Sequence, residues 1–313
     1  MTHAWASNVI SGVEQPRILI VGPELISNPG FEENTTNWSE SGTSVISRVA
    51  NTTTIFGDYV LQVEDDNAAG YEYAYQTINY GAAVGGKKYI LSAYVKSGSS
   101  NNQRFSMDFT VNTDDPSTFT ARDYWKKFVL EVTMPTSAAT TFDVQFYPCE
   151  YGDVSETGII LVDHVSVREV LYDIQLPLPY RGDFKHGFIP LLQAGHKLSN
   201  GVNKKFYKGL IYYYSAWWQK LSYTEESNRQ RIIMENQING RDLIIFPHRD
   251  ADRAYLVSCE NSKLETSWMA GVALGHEGGM ELIGQELYQM APTDVVTSSY
   301  YDDLIVSDEF VVS

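Results

Sequence analysis

Tyr89-Ile90-Leu91-Ser92-Ala93-Tyr94-Val95 is a short run of aromatic, branched and small residues, preceded by Gly86-Lys87-Lys88 and followed by Lys96. Such a run fits a pleated, half-buried surface rather than a helix. Runs of the same kind recur on both sides of it. Tyr59 to Val63, Phe105 to Phe109, Phe128 to Val132, Phe142 to Phe146 and Ile159 to Val167 are separated by clusters of Gly, Asn, Asp, Ser and Thr. From about Leu25 to Val170 no stretch of helical period is long enough to cover a sheet. The spacing predicts an antiparallel sandwich of about eight to ten strands, with a jelly roll as the economical topology.

The whole chain has 313 residues, 23 Lys and Arg against 39 Asp and Glu, a formal net charge of −16 and 13% aromatic residues, 21 of them Tyr. The acidic balance excludes duplex nucleic acid and an anionic membrane surface as partners, since both are bound through clustered Lys and Arg. The longest apolar stretches, such as Ile18 to Val21, are far too short for membrane insertion. Cys149 and Cys259 lie far apart and are read as free thiols, neither a disulfide framework nor a metal knuckle. No basic segment followed by an apolar one is visible in Met1 to Arg17, so folding in a cytoplasm is expected.

The sandwich region opens with Glu24-Leu25-Ile26-Ser27-Asn28-Pro29-Gly30-Phe31-Glu32, with Trp38 six residues on, and closes with Gly158-Ile159-Ile160-Leu161-Val162-Asp163-His164-Val165-Ser166-Val167. Between them stand Gln76-Thr77-Ile78, Gly86 to Lys96 and Tyr124-Trp125-Lys126-Lys127-Phe128. In this order the motifs resemble carbohydrate-binding modules of the family four and nine type over residues 24–170. The resemblance implies a jelly roll with a structural calcium ion, and Glu32 and Asp163 match its acidic ligands. Two such acids brought side by side would repel unless a hard cation or a basic group lay between them. The alternative is that both are solvent-facing turn acids.

Modules of this kind hold sugars by stacking pyranose rings on aromatic faces. Tyr71, Tyr73 and Tyr75 alternate, so all three face one side of a strand and form the candidate sugar-binding ladder. Tyr80, Tyr94, Phe109, Phe146 and Tyr147 are further aromatics on neighbouring runs, while Trp38 and Trp125 read as core anchors. The competing reading puts half of these aromatics in the core.

After Val170 the texture changes. Pro177, Pro179 and Pro190 mark an extended crossing segment, and Thr224 to Gly240 reads as one helix with Thr224 as N-cap, acids in the first turn and an Asn-Gly stop. Strand-like runs follow at Asp242 to Phe246, Ala254 to Ser258, Ser267 to Leu274 and Met280 to Ile283, giving an α+β domain of strands around a helix. Tyr212-Tyr213-Tyr214-Ser215-Ala216-Trp217-Trp218 holds five aromatics in seven residues, readable either as an interface anchor or as core. In element order and size this domain resembles the fold shared by phage tail-tube and distal tail proteins. No motif supports that resemblance, so no functional residue is carried over. The fold class expected is therefore mainly β: an N-terminal antiparallel jelly-roll β-sandwich, then a β-sandwich plus one helix. Residues 1–23 form an N-terminal arm, 24–170 the module, 171–290 an assembly domain and 291–313 a C-terminal arm, either a swapped strand or a flexible terminus.

Catalysis finds little support. Phe246-Pro247-His248-Arg249-Asp250-Ala251-Asp252 and Gly275-His276-Glu277 offer two histidines without metal-ligand spacing. The acid pairs Asp143 with Glu131 and Asp250 with Asp252 are such as any acidic chain supplies. No catalytic residue is assigned. A glycan module without visible export signal or catalytic domain fits a virion protein, which folds in the host cytoplasm and meets cell-surface glycans after lysis. The expectation is a structural protein of a bacteriophage tail or baseplate, localised to the virion. Its partners are further copies of itself as a homo-oligomer, other virion proteins and a cell-surface glycan. A glycan-degrading enzyme and a free-standing glycan-binding protein are the alternatives.

Overall fold

The computed structural model describes residues 16–42, 44–51, 56–65, 72–79, 86–99, 102–110, 116–135, 140–152, 157–177, 184–197, 203–247, 254–259, 267–268 and 276–288. The elements in chain order are β1 (Arg17–Val21), β2 (Ser39–Ser41), β3 (Val45–Ala50), β4 (Tyr59–Asp65), β5 (Tyr73–Asn79), β6 (Lys88–Ser97), β7 (Gln103–Phe109), β8 (Ser117–Ala121) and β9 (Lys126–Thr133). They continue with β10 (Thr141–Tyr147), β11 (Gly158–Gln175), β12 (Phe184–Lys197), β13 (Asn203–Leu221), α1 (Tyr223–Asn239), β14 (Leu243–Phe246), β15 (Tyr255–Cys259), β16 (Ser267–Trp268) and β17 (His276–Tyr288). The protein is mainly β and antiparallel with a single described helix, the fold class expected from the sequence. By contacts it divides into a unit Val21–Leu171 and a second unit that joins the chain up to Ile20 with Tyr172–Glu286.

In Val21–Leu171 two five-stranded antiparallel sheets form a sandwich, one in the order β3-β4-β11-β6-β9 and the other β2-β5-β10-β7-β8. Period-two alternation decides which side chains enter it. Tyr89, Leu91, Ala93 and Val95 of β6 point inward with Leu61, Val63, Ile160 and Val162, and meet Phe105, Met107, Phe109, Phe142, Val144 and Phe146 from the other sheet. Trp38 lies in this core, its ring 5.5 Å from Phe31 and 5.9 Å from Phe146. Trp125 instead joins Val60 and Tyr94 in a separate small cluster. Phe109 and Phe146, two of the further aromatics on runs neighbouring the tyrosine ladder, are core residues.

The ends of this unit are tied to each other. The Gly22 N–H donates to Glu169 O at 2.9 Å and the Leu25 N–H to Val167 O at 3.0 Å. Glu24 Oε1 accepts from the amides of Leu25, Ile26 and Val167, and Glu24 Oε2 accepts from Ser166 Oγ at 2.6 Å. Buried Gln76 grips Ser27 at both backbone atoms, accepting from its N–H at 2.7 Å and donating to its C=O at 2.9 Å. That amide substitutes for one rung of a strand ladder.

The second unit differs from its sequence reading at the start of the chain. Residues 17–21, assigned above to an N-terminal arm, form β1, which pairs antiparallel with β14 from Arg17↔Phe246 to Ile20↔Leu243. Ile18 and Ile20 are fully buried in a core with Tyr212, Tyr214, Trp218, Leu243, Ile245, Val257, Met280 and Leu282. Four consecutive apolar residues are too short a period to betray a strand buried on both faces. The N-cap of α1 is likewise Ser222, not Thr224. Its Oγ accepts from Glu225 N at 3.2 Å while the Glu225 carboxylate accepts from Ser222 N at 2.8 Å, a reciprocal pair that Thr224 has no equivalent for. Gly240 ends the helix at φ 56°, in the left-handed region the Asn-Gly stop predicts. Inside the unit Glu226 and Arg229, both buried, form a two-pronged ion pair at 2.6 and 2.9 Å, and Arg229 Nη1 donates to Gly279 O at 2.6 Å.

Candidate functional site

The two sides of β5 have opposite characters. Ala74, Gln76 and Ile78 point into the sandwich, so Tyr73, Tyr75 and Thr77 face outward. On β10 the core takes Phe142, Val144 and Phe146 and leaves Asp143, Gln145 and Tyr147 outward; on β7 it takes Phe105, Met107 and Phe109 and leaves Ser106 and Asp108. Strand register then sets these side chains in rows. One row runs Ser39, Tyr75, Gln145, Asp108, and a second has Ser41 opposite Tyr73 and Tyr147, Ser106 and Thr118 in sequence.

The rows touch. Tyr73 lies 5.8 Å from Tyr75 and 4.8 Å from Tyr147, and Tyr151 stands edge-on to Tyr147 at 5.2 Å. Tyr147 Oη donates to Gln145 Oε1 at 2.8 Å. Burial first, then Tyr73, Asp108 and Tyr151, push the Tyr147 phenol up, so it stays a proton donor at any physiological pH. Tyr147, Gln145, Asp108 and Ser106 are nearly or fully buried although they point away from the sandwich core; Tyr73 and Tyr75 are half-buried. Beside them Thr77 Oγ1 donates to Asp143 Oδ1 at 2.6 Å, and Tyr151 N donates to Ser106 Oγ at 3.1 Å. Arg104, at the margin, is paired with Glu150. The outward face thus combines aromatic rings with an amide, a carboxylate and hydroxyls, the inventory that packs against C–H faces and bonds hydroxyl groups at once. Tyr71 and Tyr80 lie outside the described residues. The signal for Gln145 and Asp108, which the sequence reading missed, is their same-parity spacing with Tyr147 and Ser106.

Glu32 and Asp163 border one loop in different ways. Between β1 and β2 the chain takes positive φ at Asn28, Phe31 and Asn37, at 54°, 57° and 73°. This loop lines a concavity of about 340 Å³. Phe31 turns its ring into the core, which sends Glu32 outward to accept from the amides of Asp58 and Tyr59 at 3.2 and 3.3 Å. Gly57 makes room for it, since a Cβ there would stand 2.0 Å from Glu32 Oε1. Asp163 is fully buried, next to Gly30 across the loop, and its Oδ1 accepts from His164 N at 2.7 Å, where β11 bulges and His164 takes φ 49°. Asp163 is therefore no solvent-facing turn acid, whereas Glu32 is exposed and already held by backbone amides. Among the described residues no three His, Cys, Asp or Glu side chains gather to hold a metal. A cation here would have to draw on backbone carbonyls as well as these acids, ligands that calcium accepts.

The remaining candidates do not assemble. Asp143 and Glu131 sit on different sheets, the latter paired with Lys88 at 3.0 Å. His248, Asp250 and Asp252 lie outside the described residues, as do the side chain of His276 and residues 291–313. Neither cysteine is in a disulfide: Cys149 is buried, with Sγ donating to Asp65 Oδ2 at 3.6 Å, and Cys259 is half-buried.

No curated protein matches the chain. Among solved structures it is similar to the CBM22-1 xylan-binding domain from Paenibacillus barcinonensis, at 18% identity and TM-score 0.37, over 48% of this chain and 97% of that one. It is also similar to a structure of the CBM22-1-GH10 modules of Clostridium thermocellum endo-1,4-beta-D-xylanase 10B, at 15% and 0.36, over 50% and 30%. A third is tailspike protein 4 of bacteriophage CBA120, at 16% and 0.36, over 47% and 21%. The chain thus spans under a third of the xylanase and tailspike structures. The family model CBM_4_9, a carbohydrate binding domain, matches residues 23–150, which hold the outward tyrosine face of β5 and β10 and all of β7.

Proposed function

We propose that the unit Val21–Leu171 binds a glycan on the outward face of the β2-β5-β10-β7-β8 sheet. Sugar rings stack on Tyr73 and Tyr75, and Tyr147, Gln145 and Asp108 supply the hydrogen bonds beneath them. The observation that carries the reading is the contact of Tyr73 with both Tyr75 and Tyr147 over a floor of polar side chains on a face that the core does not use. Stacking on an aromatic ring contributes about 1 kcal/mol. Calorimetric titration with xylan and with host-surface polysaccharide tests it: Tyr73→Ala and Tyr75→Ala should each weaken binding roughly fivefold with the melting temperature unchanged. Binding that survives the double substitution would place the sugar elsewhere.

The wider reading is that this unit is displayed by a structural protein of a bacteriophage tail or baseplate, assembled in the host cytoplasm as a homo-oligomer with other virion proteins. It is a binder, not an enzyme. Ile189, Trp217, Met234 and Ile238 support an assembling second unit, since each leaves 41% to 71% of its surface to solvent in the single chain. Negative-stain images of purified protein should show a closed oligomer. A structural calcium at Asp163 and Glu32 belongs to the same reading. Calcium should raise the melting temperature of the wild type and not of Asp163→Asn, and indifference of the wild type to EGTA would remove the ion.

A further inference from the structure

Gln145 stands where the rings and the acids of the outward face meet. Register places it between Tyr75 on β5 and Asp108 on β7, and Tyr147 follows two residues later on the same side of β10. An amide side chain has an accepting end and a donating end, and rotation of its last bond exchanges them. Here one end is fixed. The Tyr147 hydroxyl donates to Gln145 Oε1 at 2.8 Å, which turns Nε2 the other way. Gln145 is only 4% exposed, yet its Nε2 bonds to no described residue and is not sealed from solvent. Two N–H donors therefore open onto the face from a side chain that is otherwise buried.

Tyr147 is built to hold that orientation. Its ring contacts Tyr73 at 4.8 Å and Tyr151 at 5.2 Å, and burial above all keeps its phenol protonated. With the proton committed to Gln145, the Tyr147 oxygen can only accept from a ligand.

The charge of the face is one-sided. The outward positions of β2, β5, β10, β7 and β8 hold two acids, Asp143 and Asp108, and one base, Arg104, which is paired with Glu150. Asp108 is 5% exposed and lies directly across from Gln145. A sugar carboxylate or sulfate laid on the Gln145 donors would also meet the Asp108 charge in a poorly hydrated site, where like charges repel strongly. A sugar hydroxyl satisfies both neighbours, because it accepts from the amide and donates to the carboxylate.

We infer that Tyr147 is a positioning residue that turns the Gln145 N–H pair toward the ligand beside the Asp108 carboxylate, and that this donor and acceptor select uncharged sugar hydroxyls over acidic sugars. This deepens the glycan reading above and rests on it. Tyr147 acts through Gln145, so the effect of its hydroxyl on binding exists only while Gln145 is present.

Calorimetric titration of the full chain with xylan, a neutral polymer, and with polygalacturonate, an acidic one, tests this in a double-mutant cycle of Tyr147→Phe and Gln145→Ala. Tyr147→Phe keeps the ring and should weaken xylan binding about fivefold. In the Gln145→Ala background the same change should alter affinity by less than about twofold. The wild type should bind polygalacturonate at least about tenfold more weakly than xylan, and Asp108→Asn should narrow that gap. A second readout needs no sugar. The Gln145 side-chain amide signal in the magnetic resonance spectrum of isotope-labelled protein, assigned by its loss in Gln145→Ala, should move toward that of a freely turning glutamine in Tyr147→Phe. An amide signal that Tyr147→Phe leaves in place, or an equal cost of Tyr147→Phe with and without Gln145, overturns the positioning role. Polygalacturonate bound as tightly as xylan overturns the selection by charge. Xylan binding that survives Tyr73→Ala/Tyr75→Ala overturns the glycan face itself, a failure distinct from the others because it concerns the stacking rings and not the amide.

Discussion

The two units spend their tyrosines differently. In Val21–Leu171 alternation sends Tyr73, Tyr75 and Tyr147 away from the sandwich core, where they form a contacting group over polar side chains. In the second unit the same alternation along β13 sends Tyr212, Tyr214 and Trp218 inward and leaves Tyr213 and Trp217 outside. Tyr214 is wholly buried, and burial pushes its phenol well above the ordinary value of 10.0. An aromatic-rich strand therefore says nothing by itself about recognition. What distinguishes the first case is the company of the rings: Gln145, Asp108 and Ser106 are polar, nearly buried and on the outward face.

The sharpest way to separate the units is through their cores. Trp218→Ala and Phe105→Ala should each cost about 3 to 5 kcal/mol. In a denaturant titration followed by fluorescence and by glycan binding, only Phe105→Ala should shift the glycan-dependent transition. A single transition that moves equally with both would show that the units unfold as one. Arg229→Met comes next, because it strands the buried Glu226 carboxylate, and about 3 kcal/mol of loss is expected at pH 7 in the transition that Trp218→Ala shifts.

Gln76→Ala tests the first unit more gently. It leaves the Ser27 backbone without its partners, for about 1 to 3 kcal/mol, with glycan affinity kept if Tyr73 and Tyr75 stay in register. Ser222→Ala should remove about 1 kcal/mol from the second unit, read as earlier loss of helical ellipticity on heating. Smallest at neutral pH is Tyr214→Phe. The raised folded phenol keeps its stabilisation below about pH 10 and loses it as pH rises through the folded value, since only the unfolded chain then ionises. The wild type should destabilise above about pH 10 with a steeper slope than Tyr214→Phe; equal slopes would mean that Tyr214 does not govern alkaline unfolding.

Much of the fold was legible because sheets write themselves in period two. The runs at Tyr89 to Val95, Phe105 to Phe109 and Phe142 to Phe146 are strands, and parity puts Tyr73 and Tyr75 on one side of β5. What was not legible depends on pairing between distant segments. Gln145 meets Tyr75 and Asp108 only through register across strands tens of residues apart, and Glu24 finds Val167 and Ser166 only when the ends of the sandwich close. Glu32 illustrates the limit from the other direction. A motif position suggests a ligand, but the local backbone, with Phe31 at positive φ, turns its carboxylate toward the amides of Asp58 and Tyr59. The Arg17–Val21 strand escaped notice because its partner is supplied by the far half of the chain.

That distant partnership has a consequence in time. On the ribosome Ile20 emerges about 220 residues before Leu243, its partner, so the second unit's sheet waits for the whole intervening unit to be made. Once that unit folds, the Gly22 to Glu169 hydrogen bond cuts the loop still to be closed from about 220 residues to about 75, which lowers the entropic cost of closure by about 1 kcal/mol. The earlier-born unit acts as a clasp that hands the nascent strand to its mate, and the second unit matures last.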